Sequence, residues 1–200
     1  MDERRRVTIN RKAEILAIAA RLFREKGYTS VRLDDITEEI GITKPIIYYY
    51  FRAKEDILFE ICMTQIINLT NQAKAIADSD LELLDKIMKM FENHVMQFHN
   101  NRDSAETYLR ESAHLSLERR KQVTETLKLY ETFLREHVDQ AIDLGIIRPI
   151  NSKQVVRAIG GMCYAVGNWY SPEGSDDIQD IAALYVDFIL HGILAIKESN

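Results

Sequence analysis

The segment Thr43–Lys54, TKPIIYYYFRAK, concentrates the side chains best suited to contacting another molecule. Thr43 is a good helix N-cap and Pro45 is tolerated in a first turn, so a short helix is expected over 44–50. On that helix Ile47, with Phe51 just beyond it, falls on one face, while Lys44, Pro45, Tyr48 and Tyr49 face outward. Three consecutive tyrosines, Tyr48 to Tyr50, are odd for a core element. An exposed tyrosine offers a flat apolar body and a hydroxyl, useful against thymine methyl groups and phosphates. Lys54 should open the next helix, where backbone N–H groups also face a phosphate. The plainer reading of the same residues is a tyrosine-lined helix contact or an interface.

Other constellations carry less chemistry. Glu111 and His114 share a helical face, as in half of a di-iron site, but no second such pair exists, so no metal is assigned. His94 and His99 are five apart and share a face poorly. Cys62 and Cys163 are too few for a disulfide scaffold or a zinc motif, and their plainer role is packing. There is no Gly-rich phosphate loop, no Gly-x-Ser-x-Gly elbow and no paired acid/base set, so neither an enzyme nor a cofactor is expected.

The elements that must position these residues read as helices throughout. The expected segments are about 10–26, 33–40, 44–50, 54–77, 81–99, 104–114, 117–144, 152–170 and 177–196. Gly27, Gly41 and Gly145 stand where helices should stop. Pro and Gly together make only eleven of 200 residues, which disfavours many short strands with tight turns. No apolar run reaches the length of a membrane span and MDERRR has no apolar segment behind it, so a reduced, cytoplasmic protein is expected. The net charge of −5 argues against nucleic acid when taken whole, yet residues 1–60 carry +1 and residues 61–200 carry −6. Basic residues cluster at Arg4, Arg5, Arg6, Arg11 and Lys12, and again at Lys44, Arg52 and Lys54, so a local basic face on an acidic protein remains compatible with DNA.

The stretch Ile36–Leu58 resembles the signature of the TetR family of bacterial transcriptional repressors. The resemblance rests on Gly41 at the turn, Thr43 at the cap, Tyr48 and Phe51 as Tyr-x-x-Phe, Lys54-Glu55 opening the fourth helix, and Phe23, Gly27 and Tyr28 upstream. It covers roughly residues 10–60. It implies an all-α, nine-helix fold with a helix-turn-helix domain over 1–53 and a ligand-binding and dimerisation domain over 54–200. It also implies a homodimer through helices eight and nine and DNA contacts from Arg32, Thr43, Lys44, Pro45, Tyr48, Tyr49, Tyr50 and Lys54. Arg32 departs from the Ser/Thr common at that position, so a phosphate contact there falls to guanidinium.

Asn101-Arg102, Leu109-Arg110-Glu111, Leu117-Glu118-Arg119-Arg120 and Gly167–Gly174 are similar to the branch of that family that senses acyl-coenzyme A thioesters. Such a ligand needs an apolar tunnel and cationic groups for its phosphates. Phe91, Val95, Phe98, Tyr130, Met162 and Trp169 are the candidate tunnel residues, and Arg110 leads the candidate cations Arg102, Arg119 and Arg120. Plain core packing and surface charge are the alternatives for each. On the dimer, Gly160, Tyr164 and Gly167 form one stripe of helix eight, and Ala182, Tyr185, Ile189 and Gly192 one of helix nine. The expectation is therefore a repressor released from its operator by an acyl-CoA. Its rivals are a repressor of efflux genes sensing cationic or hydrophobic drugs, and a helical ligand carrier or enzyme.

Overall fold

Gly27 and Gly41 end the first two helices because each adopts positive φ, 80° and 73°, a conformation that only glycine reaches without strain. The chain between and beyond them was built as a computed structural model. It describes residues 3–194, with side chains from Arg11 onward. The helices are α1 (Glu3–Lys26), α2 (Leu33–Ile40), α3 (Lys44–Tyr50), α4 (Lys54–Ala77), α5 (Leu83–Asn100), α6 (Arg102–Glu111), α7 (Leu117–Asp143), α8 (Ser152–Trp169) and α9 (Ile178–Ile193). A 3-10 turn, Ser112–His114, follows α6, so the helix expected over 104–114 begins two residues earlier and tightens at its end. Among the described residues the architecture is all-α, as expected. Arg4, Arg5 and Arg6 lie on the α1 backbone, and their side chains fall outside the described residues. The expected extension of α9 to 196 runs past the last described residue.

The chain divides into two compact units. The first holds the residues up to Gln65 together with Asn101–Thr124; the second holds Ile66–Asn100 and the chain from Glu125 onward. The division falls inside α4, between α5 and α6, and inside α7.

In the first unit α1 packs on α2 and on α6. Ile15, Ala19, Leu22 and Phe23 are buried at helical spacing, and Ile36, Ile47, Phe51, Ile57, Leu58 and Ile61 meet them from α2, the α3 segment and α4. Burying an apolar side chain of this size contributes about 1.5–3 kcal/mol. α6 is fixed to α1 by two polar contacts as well. Thr107 Oγ1 donates to the carbonyl of Ala20 at 2.9 Å, and Arg24 Nε donates to Asp103 at 2.6 Å.

In the second unit α5 packs on α8 and α9. Phe91, Val95, Ile159, Cys163, Val166, Ile181 and Ala182 are buried. Asn151 caps α8 by accepting from Gln154 N–H at 3.1 Å, and Asp177 caps α9 by accepting from Gln179 N–H at 2.8 Å. The guanidinium of Arg148 donates to the Gly192 carbonyl at 2.8 and 3.0 Å and so closes the C-terminal end of α9.

Candidate functional site

α3 is short, and only one of its faces is anchored. Ile47 and, just beyond it, Phe51 are buried, while Lys44, Pro45, Ile46, Tyr48 and Tyr49 project into solvent. Tyr49 is 76% exposed and Tyr48 53%. Tyr50 is half-buried, and its ring stands edge-on to Tyr49 at 5.0 Å, which limits the directions Tyr49 can take. The helix turns on Gly41: Ile42 N–H reaches back to the Thr37 carbonyl at 2.9 Å, closing the end of α2 before Thr43 starts the next element. Thr43 occupies the N-cap position with extended backbone, and its carbonyl accepts from Ile46 N–H at 3.0 Å. Its hydroxyl makes no capping bond, so Thr43 fills the cap position through its backbone alone. Arg32 is exposed at the N-cap of α2 and donates its N–H to Asp35 at 2.7 Å.

Two of the basic candidates already have partners. Lys44 Nζ lies 2.9 Å from Asp34, and that carboxylate raises the pKa of Lys44. Both groups are well exposed, so the pair is easily exchanged for another anion. Lys54 is held more firmly. Its ammonium donates to the carbonyls of Tyr28 and Val31, each at 2.6 Å, and sits 4.2 Å from the centre of the Tyr28 ring. Burial lowers its pKa. Lys54 therefore ties the loop after α1 to the first turn of α4, a positioning role that its place in the sequence does not announce.

Around the same turn, Asp56 accepts from Ala53 N–H at 2.8 Å and pairs with Arg119, and Glu55 accepts from Ser116 N–H at 2.9 Å. Glu111 accepts from Tyr28 N–H at 3.2 Å, and His114 stacks on the Tyr28 ring at 5.5 Å. Glu111 and His114, 3.3 Å apart, thus serve to seat Tyr28. Two more of the candidate arginines are engaged inside the first unit. Arg102 Nε and Arg110 Nη2 both pair with the buried carboxylate of Glu106, at 2.7 and 3.2 Å. A buried carboxylate is costly without such partners.

The second unit contains an apolar cavity between α5, α8 and α9. Phe91, Val95 and Met162 line it together with Ile159, Cys163 and Tyr185, and its total empty space is about 200 Å³. Only about 10 Å³ is open to the centre of a water molecule, the room of roughly one water. No Asp or Glu lines it. Phe98 and Tyr130 are buried outside this lining; the Tyr130 hydroxyl meets His94 Nδ1 at 3.3 Å. Burial pushes the His94 imidazole down to about 4 and raises the Tyr130 phenol.

Two expectations are corrected. Trp169 is 50% exposed and does not line the cavity. One residue on, about 100° around the helix, Tyr170 turns inward instead and its hydroxyl meets His99 Nδ1 at 2.8 Å. On α9, Ala182 and Ile189 are buried, Tyr185 lines the cavity, and the outward residues include Leu184 and Phe188. On α8 Tyr164 is outward but Gly167 is buried.

Comparison with known proteins gives these features a lineage. The profile described as bacterial regulatory proteins, tetR family, matches residues 15–61, and the tetracyclin repressor-like C-terminal domain matches residues 80–193. The chain is 24% identical to the HTH-type transcriptional repressor KstR2 of Mycobacterium tuberculosis, over 92% of this chain and 93% of that one. The TetR family regulator PfmR of Thermus thermophilus superposes with a TM-score of 0.82 at 27% identity, covering 88% of this chain and 97% of its own. AibR, solved in complex with isovaleryl coenzyme A and operator DNA, superposes with a TM-score of 0.80 at 25% identity, covering 89% and 97%. With both profiles matched in order and a turn-anchored α3 that exposes its tyrosines, the chain belongs to the TetR family of transcriptional regulators, DNA-binding proteins rather than enzymes.

Proposed function

We propose that this chain is a homodimeric repressor that leaves its operator when an acyl-coenzyme A binds. The observation that carries the DNA half is the single-sided anchoring of α3: Ile47 and Phe51 are buried, and Lys44, Pro45, Tyr48 and Tyr49 are presented outward. A short helix held from one side is free to enter a major groove, with Arg32, Thr43, Tyr50 and Lys54 around it for backbone and phosphate contacts. On this reading residues 1–53 read DNA, residues 54–200 bind the ligand and a second copy, and the protein works in the cytoplasm.

Two features support a second copy on α8 and α9. Tyr164, Leu184 and Phe188 are apolar and exposed. A side-chain carbon added at Gly160, Gly161 or Gly192 would meet nothing within 4 Å among the described residues, so their smallness serves no packing inside one chain. The ligand class rests on the cavity and on relatives. Its lining is apolar, with no carboxylate to attract a cationic drug. AibR binds isovaleryl coenzyme A, and KstR2 is described as a ketosteroid regulator. The cavity is nearly closed, so an acyl group must part α5, α8 and α9 to enter, and a ligand that favours the parted state shifts the population away from the DNA-binding one.

The test is a titration of the protein–operator complex with acyl-CoA esters, the matching free acids and cationic dyes. Release by thioesters alone is expected. Release by dyes and by no thioester would instead establish a drug sensor, and retention of DNA with every compound would end the ligand-release reading. For the DNA half, Tyr48→Phe should weaken binding alike on all sequences, whereas Lys44→Ala and Tyr49→Ala should alter sequence preference. Unchanged operator binding in all three variants would refute the assignment of α3.

A further inference from the structure

The arginines expected to meet ligand phosphates are largely paired internally, yet four other cations converge on one cleft, three of them without such pairing among the described residues. Lys128 and Arg135 on α7 and Lys153 and Arg157 on α8 line a cleft with about 220 Å³ open to the centre of a water molecule. Its one acidic neighbour is Glu131, and Val156 forms the apolar floor. Lys128, Lys153 and Arg157 have no carboxylate within 4.0 Å among the described residues, and Arg135 makes only a long contact, 3.7 Å, with Asp139. The charge distribution sharpens the point. The second unit has nine Lys and Arg against sixteen Asp and Glu, and four of the nine cations face this one cleft. Like charges gathered in this way repel one another unless an anion lies among them.

We propose that the α7–α8 cleft binds a ligand carrying a diphosphate. A single phosphate uses two such cations; four, spread over two helices, match a longer and more highly charged anion, and Arg135 and Arg157 supply forked donors suited to phosphate oxygens. The cleft also neighbours the apolar cavity. Val156 lines the one, and Ile159, one turn further along α8, lines the other. The diphosphate has two available sources: the coenzyme half of a thioester whose acyl half enters the cavity, which rests on the function proposed above, or a free nucleoside diphosphate, which does not.

The experiment is calorimetric titration of the intact protein with pyrophosphate, ADP and coenzyme A, at low and at high salt. All three should bind at low salt and weaken as salt rises. Coenzyme A binding much more tightly than ADP identifies the thioester as the source; equal binding identifies a free nucleotide. The double variant Lys153→Gln/Arg157→Gln should lose about a hundredfold in affinity, roughly tenfold per charge-assisted contact. Lys128→Gln, on the other helix, should lose about tenfold. Lys26→Gln, an exposed cation of the first unit, should bind as the parent does. The proposal is overturned if none of the probes binds the parent protein, or if the double variant and Lys128→Gln bind as the parent does. It is also overturned if the double variant alters only the sedimentation of the protein, since the cations would then serve a second copy. Failure of thioesters to release the operator would leave the pyrophosphate result standing, so the two readings fail separately.

Discussion

His94 shows how one side chain carries a pH dependence into this fold. Its Nδ1 faces the hydroxyl of the buried Tyr130 at 3.3 Å, and burial holds its pKa at about 4 against an ordinary 6.5. Between those values the unfolded chain binds a proton that the folded chain refuses, so stability falls as pH drops through this window and is intact above it. The shift corresponds to roughly 2–3 kcal/mol once the partial exposure of the residue is discounted. Urea titrations of the parent and of His94→Gln from neutral pH to pH 4 should show a steeper loss in the parent. Parallel curves would mean that His94 is protonated as readily in the folded state as in the unfolded one. At the same scale, Lys54→Met removes the donor to the carbonyls of Tyr28 and Val31. A charged hydrogen bond is worth about 1.5–3 kcal/mol, so thermal unfolding should shift down by several degrees. Operator affinity should fall with it even on non-specific DNA, through loss of a phosphate contact or of the turn that presents one.

Among the elements, the α2–α3 turn is the most sharply constrained. Gly41 sits at φ 73°, and a side-chain carbon added there would touch nothing within 4 Å. The cost of substitution is therefore backbone strain alone. Gly41→Val should destabilise by about 1–2 kcal/mol and Gly41→Asn by clearly less, because asparagine tolerates the left-handed region. Equal losses in calorimetric melting would show that space, not φ, governs the position. The start of α4 is the second constrained element. Ser116 N–H donates to Glu55 and keeps that carboxyl below its usual range. For Asp56, burial works in the opposite direction but is outweighed by Arg119 and by backbone N–H donors, so its pKa is lowered too. Both carboxylates add stability at neutral pH that is lost as pH falls through their folded pKa values. Arg119→Met should lower stability by about 1–2 kcal/mol at neutral pH and by less in acid, once Asp56 is protonated.

For the whole molecule the property at issue is the proposed assembly into a dimer. Phe188 is 58% exposed on α9, an apolar side chain left largely uncovered among the described residues. On the proposed dimer, Phe188→Glu and Gly161→Arg should yield monomers by sedimentation while the melting of the isolated fold keeps its helical signal. Such monomers should bind an operator poorly, because two half-sites require a fixed spacing. A variant pair that still sediments as the parent does would move the dimer contact elsewhere on the surface.

The one-dimensional order of this protein was legible because its determinants are local. α2, α3 and α4 begin and end where their sequence signals lie: acids in the first turn of α2, Thr43 and Pro45 at the start of α3, and Gly41 between them. The outward face of α3 followed from helical periodicity, since Ile47 and Phe51 are the positions that its burial requires. What the tertiary structure alone decided was pairing across long separations. Lys54 meets carbonyls 26 and 23 residues away, Arg24 meets Asp103, and Glu111 meets Tyr28, and no local pattern encodes such partners. On α9, Asp180, Asp187 and His191 share one face, so periodicity already points Ile178, Ala182 and Ile189 inward and leaves open only the flanks. Packing against α5 selects Ala182 and Ile189 for the interior and leaves Phe188 outside. Likewise, Arg102 and Arg110 look like free cations in the sequence, and only the fold brings both to the buried Glu106, while it leaves Lys153 and Arg157 beside an open cleft.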